Sequence, residues 1–144
     1  MTYFSKDPMI LRQIILDRCT NPVNKGLKGY EHFEHYVSNT CIDDVTVEMD
    51  FDNKVIKDIR FDGEACSISV SSADIICEQL VGKTFDEALK HIENYSNMLY
   101  EKPYNDEMLG ELIAFMNVHK QPSRIKCAIN ASTSIQTIIK KTQR

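Results

Sequence analysis

The sequence contains no apolar run that approaches the ~20 residues needed to cross a bilayer. Its first residues, Met1–Asp7, also lack the basic segment followed by an apolar segment that is typical of an export signal. There is no internal repeat and no low-complexity linker, and 144 residues is close to the usual size of one domain. We therefore expect a single domain over residues 1–144 that does not enter a membrane and works in the cytoplasm.

An excess of positive charge is also absent. The formal net charge is −4 and the sequence pI is about 5.5, whereas the phosphates of nucleic acids attract a basic surface. The tail Lys140–Arg144 is basic, but cations at this place favour the C-terminal end of a helix through the helix dipole. We expect no nucleic-acid partner.

The five cysteines lack the features of a disulfide framework. Thiols of cytosolic proteins are mostly kept reduced, and no two cysteines have the CxxC spacing that binds a metal within one short loop. Metal binding by distant cysteines, or sulfur chemistry, is therefore the better interpretation.

Three of the cysteines, Cys41, Cys66 and Cys127, lie at the boundaries of predicted elements. Short turns can direct several side chains toward one point, and thiolates bind soft metal ions well. Asp43 follows Cys41 by two residues and can supply a fourth, harder ligand. We hypothesise that these four residues form a metal site that handles sulfur. The alternative is that the three cysteines are small buried hydrophobic residues.

The remaining cysteines and a pair of histidines are weaker candidates. Cys77 lies among apolar residues of a predicted helix and Cys19 ends the first helix, so both are predicted to serve packing. His32 and His35 are three residues apart and resemble a ligand pair on a helix. Without a nearby acidic or cysteine partner, they are better explained as a solvated surface.

Several other polar residues have a structural and a functional interpretation. Arg124 precedes Cys127 by three residues, and it is either a surface charge or a cation that pairs with Asp43 and tunes the thiolates. His91 and His119 are predicted to be surface residues. The serines near Cys66 lack the histidine and acid of a catalytic triad and are predicted to cap and pack a helix; they are Ser67, Ser69, Ser71 and Ser72.

Hydrophobic periodicity predicts the first half of the fold. Asp7-Pro8 begins a helix over Met9–Arg18, and residues 21–40 lack a sustained period and are predicted to be a loop. Alternation over Asp44–Asp62, broken by a turn, predicts a β-hairpin. Gly63 then allows a sharp corner before a helix that runs from Ser67 or Ser69 to Leu80. Cys66 would therefore lie at the positive end of a helix dipole, which favours a thiolate.

The second half is predicted to contain three helices. Thr84 and Glu87 match a capping box before a helix that ends near Tyr95. A second helix is predicted over Glu107–Met116. The last covers Arg124–Lys140, with Cys127 in its first turn.

Four motifs of this chain occur together in a known family. They are Asn21-Pro22-x-Asn24-Lys25-Gly26, Cys41-x-Asp43, the run Phe61–Ser69 with Cys66 inside it, and the run Pro122–Ala128 with Cys127 inside it. In this order they cover nearly the whole chain. The sequence resembles the SufU branch of the IscU/NifU-like iron–sulfur cluster assembly proteins.

The resemblance implies an α+β fold with a small antiparallel β-sheet packed against helices on one face. It implies that zinc is bound at one end of the molecule by Cys41, Asp43, Cys66 and Cys127. Lys126 stands where the IscU branch has a histidine, and the segment from about Tyr95 to Met116 resembles the extra stretch of the SufU branch. Both features favour sulfur transfer over cluster building. One departure is Ile42, which replaces the glycine of the family's Cys-Gly-Asp motif and raises the question of how Cys41 is placed.

The resemblance also suggests a mechanism. Zinc would keep the site closed and the thiolates deprotonated until a cysteine desulfurase of the SufS type docks and supplies a competing ligand that frees Cys41. Cys41 would then accept persulfide sulfur, with Arg124 as its charge partner, and downstream iron–sulfur assembly proteins would receive the sulfur. The main alternative is a scaffold on which an iron–sulfur cluster is assembled and then transferred. A third possibility is a structural zinc module that only mediates contacts.

Overall fold

Three antiparallel strands form a sheet in the order β1-β2-β3. In the computed structural model, which describes residues 6–143, these strands are β1 (His32–Val37), β2 (Asp44–Asp52) and β3 (Val55–Glu64). The chain also forms four α-helices, which are α1 (Pro8–Thr20), α2 (Ser67–Leu80), α3 (Phe85–Leu99) and α4 (Ile125–Thr142). Residues 1–5 and 144 lie outside the described part. The prediction about an export signal rests partly on residues 1–5, and the prediction about the basic tail rests partly on residue 144.

The helices cover one face of the sheet. Helix α2 packs on β3, and α4 packs on β1 and β2, while α1 packs on α2 and α3 packs on α4. Alternate residues of β2, such as Val45, Val47 and Met49, point into this layer and join one continuous hydrophobic core. The arrangement confirms the predicted α+β fold with a small antiparallel sheet. Within residues 6–143, no helix is long and apolar enough to cross a bilayer.

Strands β2 and β3 form the predicted hairpin. Their register places Val47 opposite Phe61, so that inward-facing apolar residues of the two strands lie side by side. The turn between them consists of Asn53 and Lys54, both with positive φ angles of 51° and 63°. Two central residues with positive φ are characteristic of the tight turn whose twist matches a two-stranded ribbon.

The prediction of an uninterrupted loop over residues 21–40 is wrong, because His32–Val37 forms strand β1. This strand lies at the edge of the sheet and alternates half-buried His32, Glu34 and Tyr36 with exposed residues. Two of its exposed side chains, Phe33 and Val37, are apolar. In a typical strand the apolar side chains are buried and the polar side chains are exposed, and β1 partly reverses this pattern. The strand is therefore defined by its pairing with β2 and not by its local sequence pattern.

Helix α3 begins at the predicted capping box. The Thr84 hydroxyl accepts a hydrogen bond from the Glu87 N–H, and the Glu87 carboxylate accepts one from the Thr84 N–H. The helix ends at Leu99, four residues beyond the predicted end at Tyr95. The buried Tyr95 hydroxyl donates to the Ala128 carbonyl over 2.8 Å, which fixes α3 against the start of α4.

The prediction of an α-helix over Glu107–Met116 is wrong. The chain between α3 and α4 forms four short 3-10 turns, at Asp106–Met108, Gly110–Phe115, Val118–Lys120 and Pro122–Arg124. Gly110 has a φ of 52°, which is left-handed and cannot continue a right-handed α-helix. The segment still buries Leu109, Leu112 and Phe115 in the core.

The prediction that His91 is a surface residue is also wrong. Its side chain on α3 is only 5% exposed, and its Nε2 donates to the Gln79 side-chain oxygen on α2 over 2.6 Å. The Gln79 amide in turn donates to the Leu109 carbonyl over 2.8 Å. Burial, with a smaller effect of the positive charge of Lys83, lowers the pKa of His91 to about 4 from an ordinary value of 6.5. The ring is therefore neutral in the folded protein at neutral pH.

We expect His91 to make the protein less stable in acid. As the pH falls below about 6.5, His91 becomes protonated in the unfolded chain. In the folded chain it stays neutral until about pH 4. The free energy of unfolding should therefore fall through this window by up to about 3 kcal/mol. Urea unfolding of wild type and His91→Gln at pH 7, 5.5 and 4 would measure the effect, because the difference between the two proteins cancels any loss of metal in acid. Parallel pH curves for the two proteins would contradict the assignment.

Candidate metal centre

Three separated segments bring four potential ligands together. Cys41 and Asp43 lie on the turn before β2, Cys66 lies at the junction of β3 and α2, and Cys127 lies in the first turn of α4. One ligand atom from each residue lies within 4.8 Å of the others. The four residues on which the sequence hypothesis rests are thus adjacent in space.

The turn of residues 38–43 is closed by hydrogen bonds of its own. The Ser38 hydroxyl accepts from the Cys41 N–H over 3.1 Å, and the Ser38 N–H donates to the Asp43 carbonyl over 2.9 Å. Ile42 is not among the residues with positive φ, so this turn does not need the glycine that the related motif carries. The Ile42 side chain is 69% exposed, and Cys41 still lies in the cluster.

Cys66 stands at the N-cap of α2, as predicted. Its backbone N–H donates to Asp43 Oδ1 over 2.9 Å, so the carboxylate receives one of the free amide groups at the start of the helix. This hydrogen bond fixes the turn that carries Cys41 to the helix that carries Cys66.

Gly63 permits the close approach of β3 to the residues next to Asp43. Its φ is 135°, and a Cβ atom built on it would lie 1.9 Å from the carbonyl oxygen of Asp44. No residue other than glycine fits this contact without moving the backbone. The corner therefore sets the separation between the segment of Asp43 and the segment of Cys66.

Asp43 is buried, with a side chain only 1% exposed, but it is held as an anion. Burial acts to raise the pKa of this carboxyl, yet hydrogen bonds outweigh it and the pKa lies below its ordinary value. The strongest of these come from the Ser69 hydroxyl, which makes a short contact with Oδ2, and from the Cys66 N–H. A carboxylate is thus available as a ligand at neutral pH.

Cys127 is the buried cysteine of the cluster, and its sulfur lies 3.9 Å from that of Cys41. Burial raises the pKa of the Cys127 thiol, and the neighbouring Asp43 and Cys66 raise it further. Three thiolates and a carboxylate in this space would repel one another without a cation. Four donors of this kind match the ligand number and ligand types of tetrahedral zinc, so the residues fit the metal that the resemblance implies.

Arg124 lies immediately before α4 and is exposed. The pKa of its guanidinium is raised by the neighbouring sulfurs, chiefly that of Cys127 and then that of Cys66. Among residues 6–143 it forms no ion pair with Asp43, so of the two interpretations of Arg124 the direct pairing with this carboxylate is not found. Its charge interacts with the sulfurs instead.

Two residues of the site were missed by the sequence analysis. The Ser69 hydroxyl contacts Asp43, and the Asn130 amide lies 3.0 Å from the Ser69 oxygen. A signal for both exists in the helix period, because Ser69 follows Cys66 by three residues and Asn130 follows Cys127 by three. Residues three apart on a helix share a face, so each polar side chain accompanies its cysteine.

The other candidates lie outside the cluster. Cys77 is buried in the core, where burial raises the pKa of its thiol, and the Cys19 thiol donates to the Leu16 carbonyl within α1. His32 and His35 lie on a strand and not on a helix, so their side chains point to opposite faces. The ring of His32 contacts Phe51, and His35 Nε2 contacts Asp44 Oδ1 at 2.5 Å.

Comparison with known proteins gives the same family from sequence and from structure. Residues 10–128 match the NifU-like N terminal domain. The chain is 35% identical over 129 residues to the zinc-dependent sulfurtransferase SufU of Bacillus subtilis, covering 89% of this chain and 88% of that protein. It is 33% identical over 132 residues to the iron–sulfur cluster assembly scaffold protein IscU of Streptococcus pyogenes, covering 89% and 81%.

A solved structure shares the fold over nearly the full chain. It is that of a proposed iron–sulfur cluster assembly scaffold protein for the SUF system of Fervidobacterium islandicum. The TM-score is 0.83 at 29% sequence identity, and the match covers 94% of this chain and 96% of that one.

We expect Gly63→Ala to damage the cluster more than Gly82→Ala. Both glycines have positive φ, so each substitution should cost about 1 kcal/mol in backbone strain. Only at Gly63 does the new Cβ meet backbone, which should add ~1–3 kcal/mol and push Asp44 away from β3. Chelator competition and urea unfolding on both variants would measure metal retention and stability. Equal metal retention in the two variants would contradict the proposed role of the Gly63 corner.

Proposed function

This chain belongs to the NifU-like N-terminal family of iron–sulfur cluster assembly proteins, and on that basis we propose that it is a zinc-dependent sulfurtransferase. Its sulfur donor is a persulfide on a cysteine desulfurase of the SufS type, and it passes the sulfur to downstream iron–sulfur assembly proteins in the cytoplasm. The name of the Bacillus subtilis relative supports this function.

The grouping of four ligand atoms within 4.8 Å of one another carries the proposal. Cys41, Asp43, Cys66 and Cys127 would hold zinc, which when bound would keep the three sulfurs deprotonated at neutral pH. All four residues lie on segments that other contacts fix in place. The ligand set is therefore largely formed by the fold itself.

Cys41 is the best placed of the three cysteines to accept sulfur. Its side chain is half-buried on a surface turn, whereas Cys127 is 2% exposed within α4. Cys66 is also half-buried, but its backbone N–H is tied to Asp43. Cys41 is also the only one of the three that lies on a turn and not at the start of a helix.

The transfer is a thiol exchange. The Cys41 thiolate attacks the terminal sulfur of the donor persulfide, the sulfur–sulfur bond of the donor breaks, and the cysteine of the desulfurase leaves as a thiolate. Cys41 then carries the persulfide. The exposed cation of Arg124 faces the same sulfurs, so it favours the thiolate and attracts the anionic donor.

A scaffold function is the second candidate. The Streptococcus pyogenes relative is named as a scaffold for iron–sulfur cluster assembly, and three thiolates in one place can also hold iron. In that case the cluster would be cargo, assembled on the same residues and then transferred.

We expect Cys41→Ala to lose all stimulation of a cysteine desulfurase while the protein keeps much of its zinc. The three other ligands remain in place, whereas the attacking sulfur is gone. Desulfurase turnover and zinc content would be measured on the same preparations. Cys19→Ala is the matched control, because Cys19 is another half-buried cysteine that lies outside the cluster. Full stimulation by Cys41→Ala would exclude Cys41 as the sulfur acceptor. If the wild-type protein does not change desulfurase turnover, the third interpretation, a structural zinc module, would remain.

Metal analysis of protein purified without oxygen separates the two candidate functions. A sulfurtransferase is expected to be colourless with one zinc per chain, because zinc has no visible absorption. A scaffold is expected to be brown and to contain iron and acid-labile sulfide. The second result would overturn the proposed function in favour of cluster assembly on the same residues.

A further inference from the structure

The amide of Asn130 lies behind the cluster, where α4 packs against α2. Its side chain is 2% exposed. The Nδ2 group donates to the Ser69 hydroxyl oxygen over 3.0 Å, and it also lies 3.4 Å from Asp43 Oδ2 and 3.4 Å from the Cys127 carbonyl. Asn130 thus contacts groups from all three segments that form the cluster.

The orientation of this amide is set by the acceptors that surround it. Asn130 Oδ1 is buried and has no hydrogen-bond partner among residues 6–143, which is unfavourable. Reversing the amide would place this oxygen against the Asp43 carboxylate and the Cys127 carbonyl, which are both acceptors. The amide therefore keeps its N–H groups toward the cluster although its oxygen remains unpaired.

The Ser69 hydroxyl connects Asn130 to Asp43. A hydroxyl has one proton to donate, and here the possible acceptors are Asp43 Oδ2, the Cys127 carbonyl at 3.1 Å and the Cys66 sulfur at 3.7 Å. The N–H of Asn130 occupies a lone pair of the hydroxyl oxygen, so Ser69 is an acceptor toward Asn130 and a donor toward the carboxylate. A charged acceptor forms the stronger bond, which directs the proton to Asp43.

We propose that Asn130 and Ser69 form a relay of hydrogen bonds that positions the Asp43 carboxylate and sets how tightly the cluster retains a divalent metal. The inference rests on the proposed function, because it requires Asp43 to be a ligand. Neither residue belongs to the group of possible ligands, so both are positioning residues. Partners that orient a metal ligand in this way typically contribute a factor of about 10 to 100 to metal affinity.

Ser72 provides an internal control within the same helix. It is buried like Ser69, and its hydroxyl has two carbonyls as possible acceptors, that of Ser69 at 3.2 Å and that of Cys127 at 3.4 Å. No hydrogen bond joins it to Asp43 in the described residues. Loss of its hydroxyl removes a buried polar group near the site without removing the relay.

The first test is zinc affinity, measured by competition with a chromophoric chelator at neutral pH. Ser69→Ala and Asn130→Leu should each weaken zinc binding by about 10-fold to 100-fold. The double variant should bind zinc about as well as the single variant with the lower zinc affinity, because both substitutions break the same relay. Ser72→Ala should bind zinc like the wild type.

A second measurement separates positioning from folding. Asn130→Leu removes the unpaired buried oxygen together with the Nδ2 donor, so the thermal midpoint of the metal-free protein should fall no further than in Ser72→Ala, while zinc affinity falls only in Asn130→Leu. A residue that only supports the fold would lower both. The visible spectrum of the cobalt-substituted protein should also shift in Asn130→Leu toward that of Asp43→Ala, because both lose a well-placed carboxylate ligand.

The Asp43→Ala variant distinguishes failure of the relay from failure of the proposed function. If this variant binds zinc like the wild type, Asp43 is not a ligand and both proposals fall. If it binds zinc weakly while Ser69→Ala and Asn130→Leu behave like Ser72→Ala, the relay alone is overturned. Weak binding in all three, with Ser72→Ala normal, supports the relay.

Discussion

The site depends on the hydrogen bonds made by the buried carboxylate of Asp43. It accepts hydrogen bonds from the backbone of Cys66 and from the Ser69 hydroxyl, and Asn130 approaches the same oxygen from α4. The turn before β2, the start of α2 and the start of α4 are therefore joined at one charged group. Because a buried anion is costly unless it is well bonded, these donors also keep Asp43 ionised and available as a ligand.

The wider fold brings those segments within reach of Asp43. The hairpin ends at Gly63, where β3 passes so close to Asp44 that only glycine fits. Helices α2 and α4 pack on the same face of the sheet and on each other, so Cys66 and Cys127 meet at their N-terminal ends. Tyr95 adds a hydrogen bond from α3 to the first turn of α4. A small sheet and two helix starts thus suffice to gather four ligands.

The cluster combines rigid and accessible parts, which suits sulfur transfer. Cys127 and Asp43 are buried and held by the core, whereas Cys41 lies on a half-buried turn beside the exposed side chain of Ile42. Arg124 is exposed and adds a positive charge that interacts with the sulfurs. In the proposed function, a partner would therefore approach Cys41 while Asp43 and Cys127 stay in place. A site closed on every side would retain metal but would not exchange sulfur.

The hairpin and helices α1 to α4 could be predicted from the sequence, because periodicity, caps and turns are local. The sequence also pointed to Cys41, Asp43, Cys66 and Cys127 as one cluster, because the family motifs lie in register. It did not reveal β1, whose edge position reverses the usual pattern, nor the burial of His91, which depends on Gln79 of another helix. The predicted helix over Glu107–Met116 is a series of 3-10 turns, because Gly110 has a left-handed φ. The helix period places Ser69 beside Cys66 and Asn130 beside Cys127, but it carries no sign that these side chains meet at Asp43. That meeting depends on how α2 and α4 pack, because the two residues are 61 positions apart and belong to different helices.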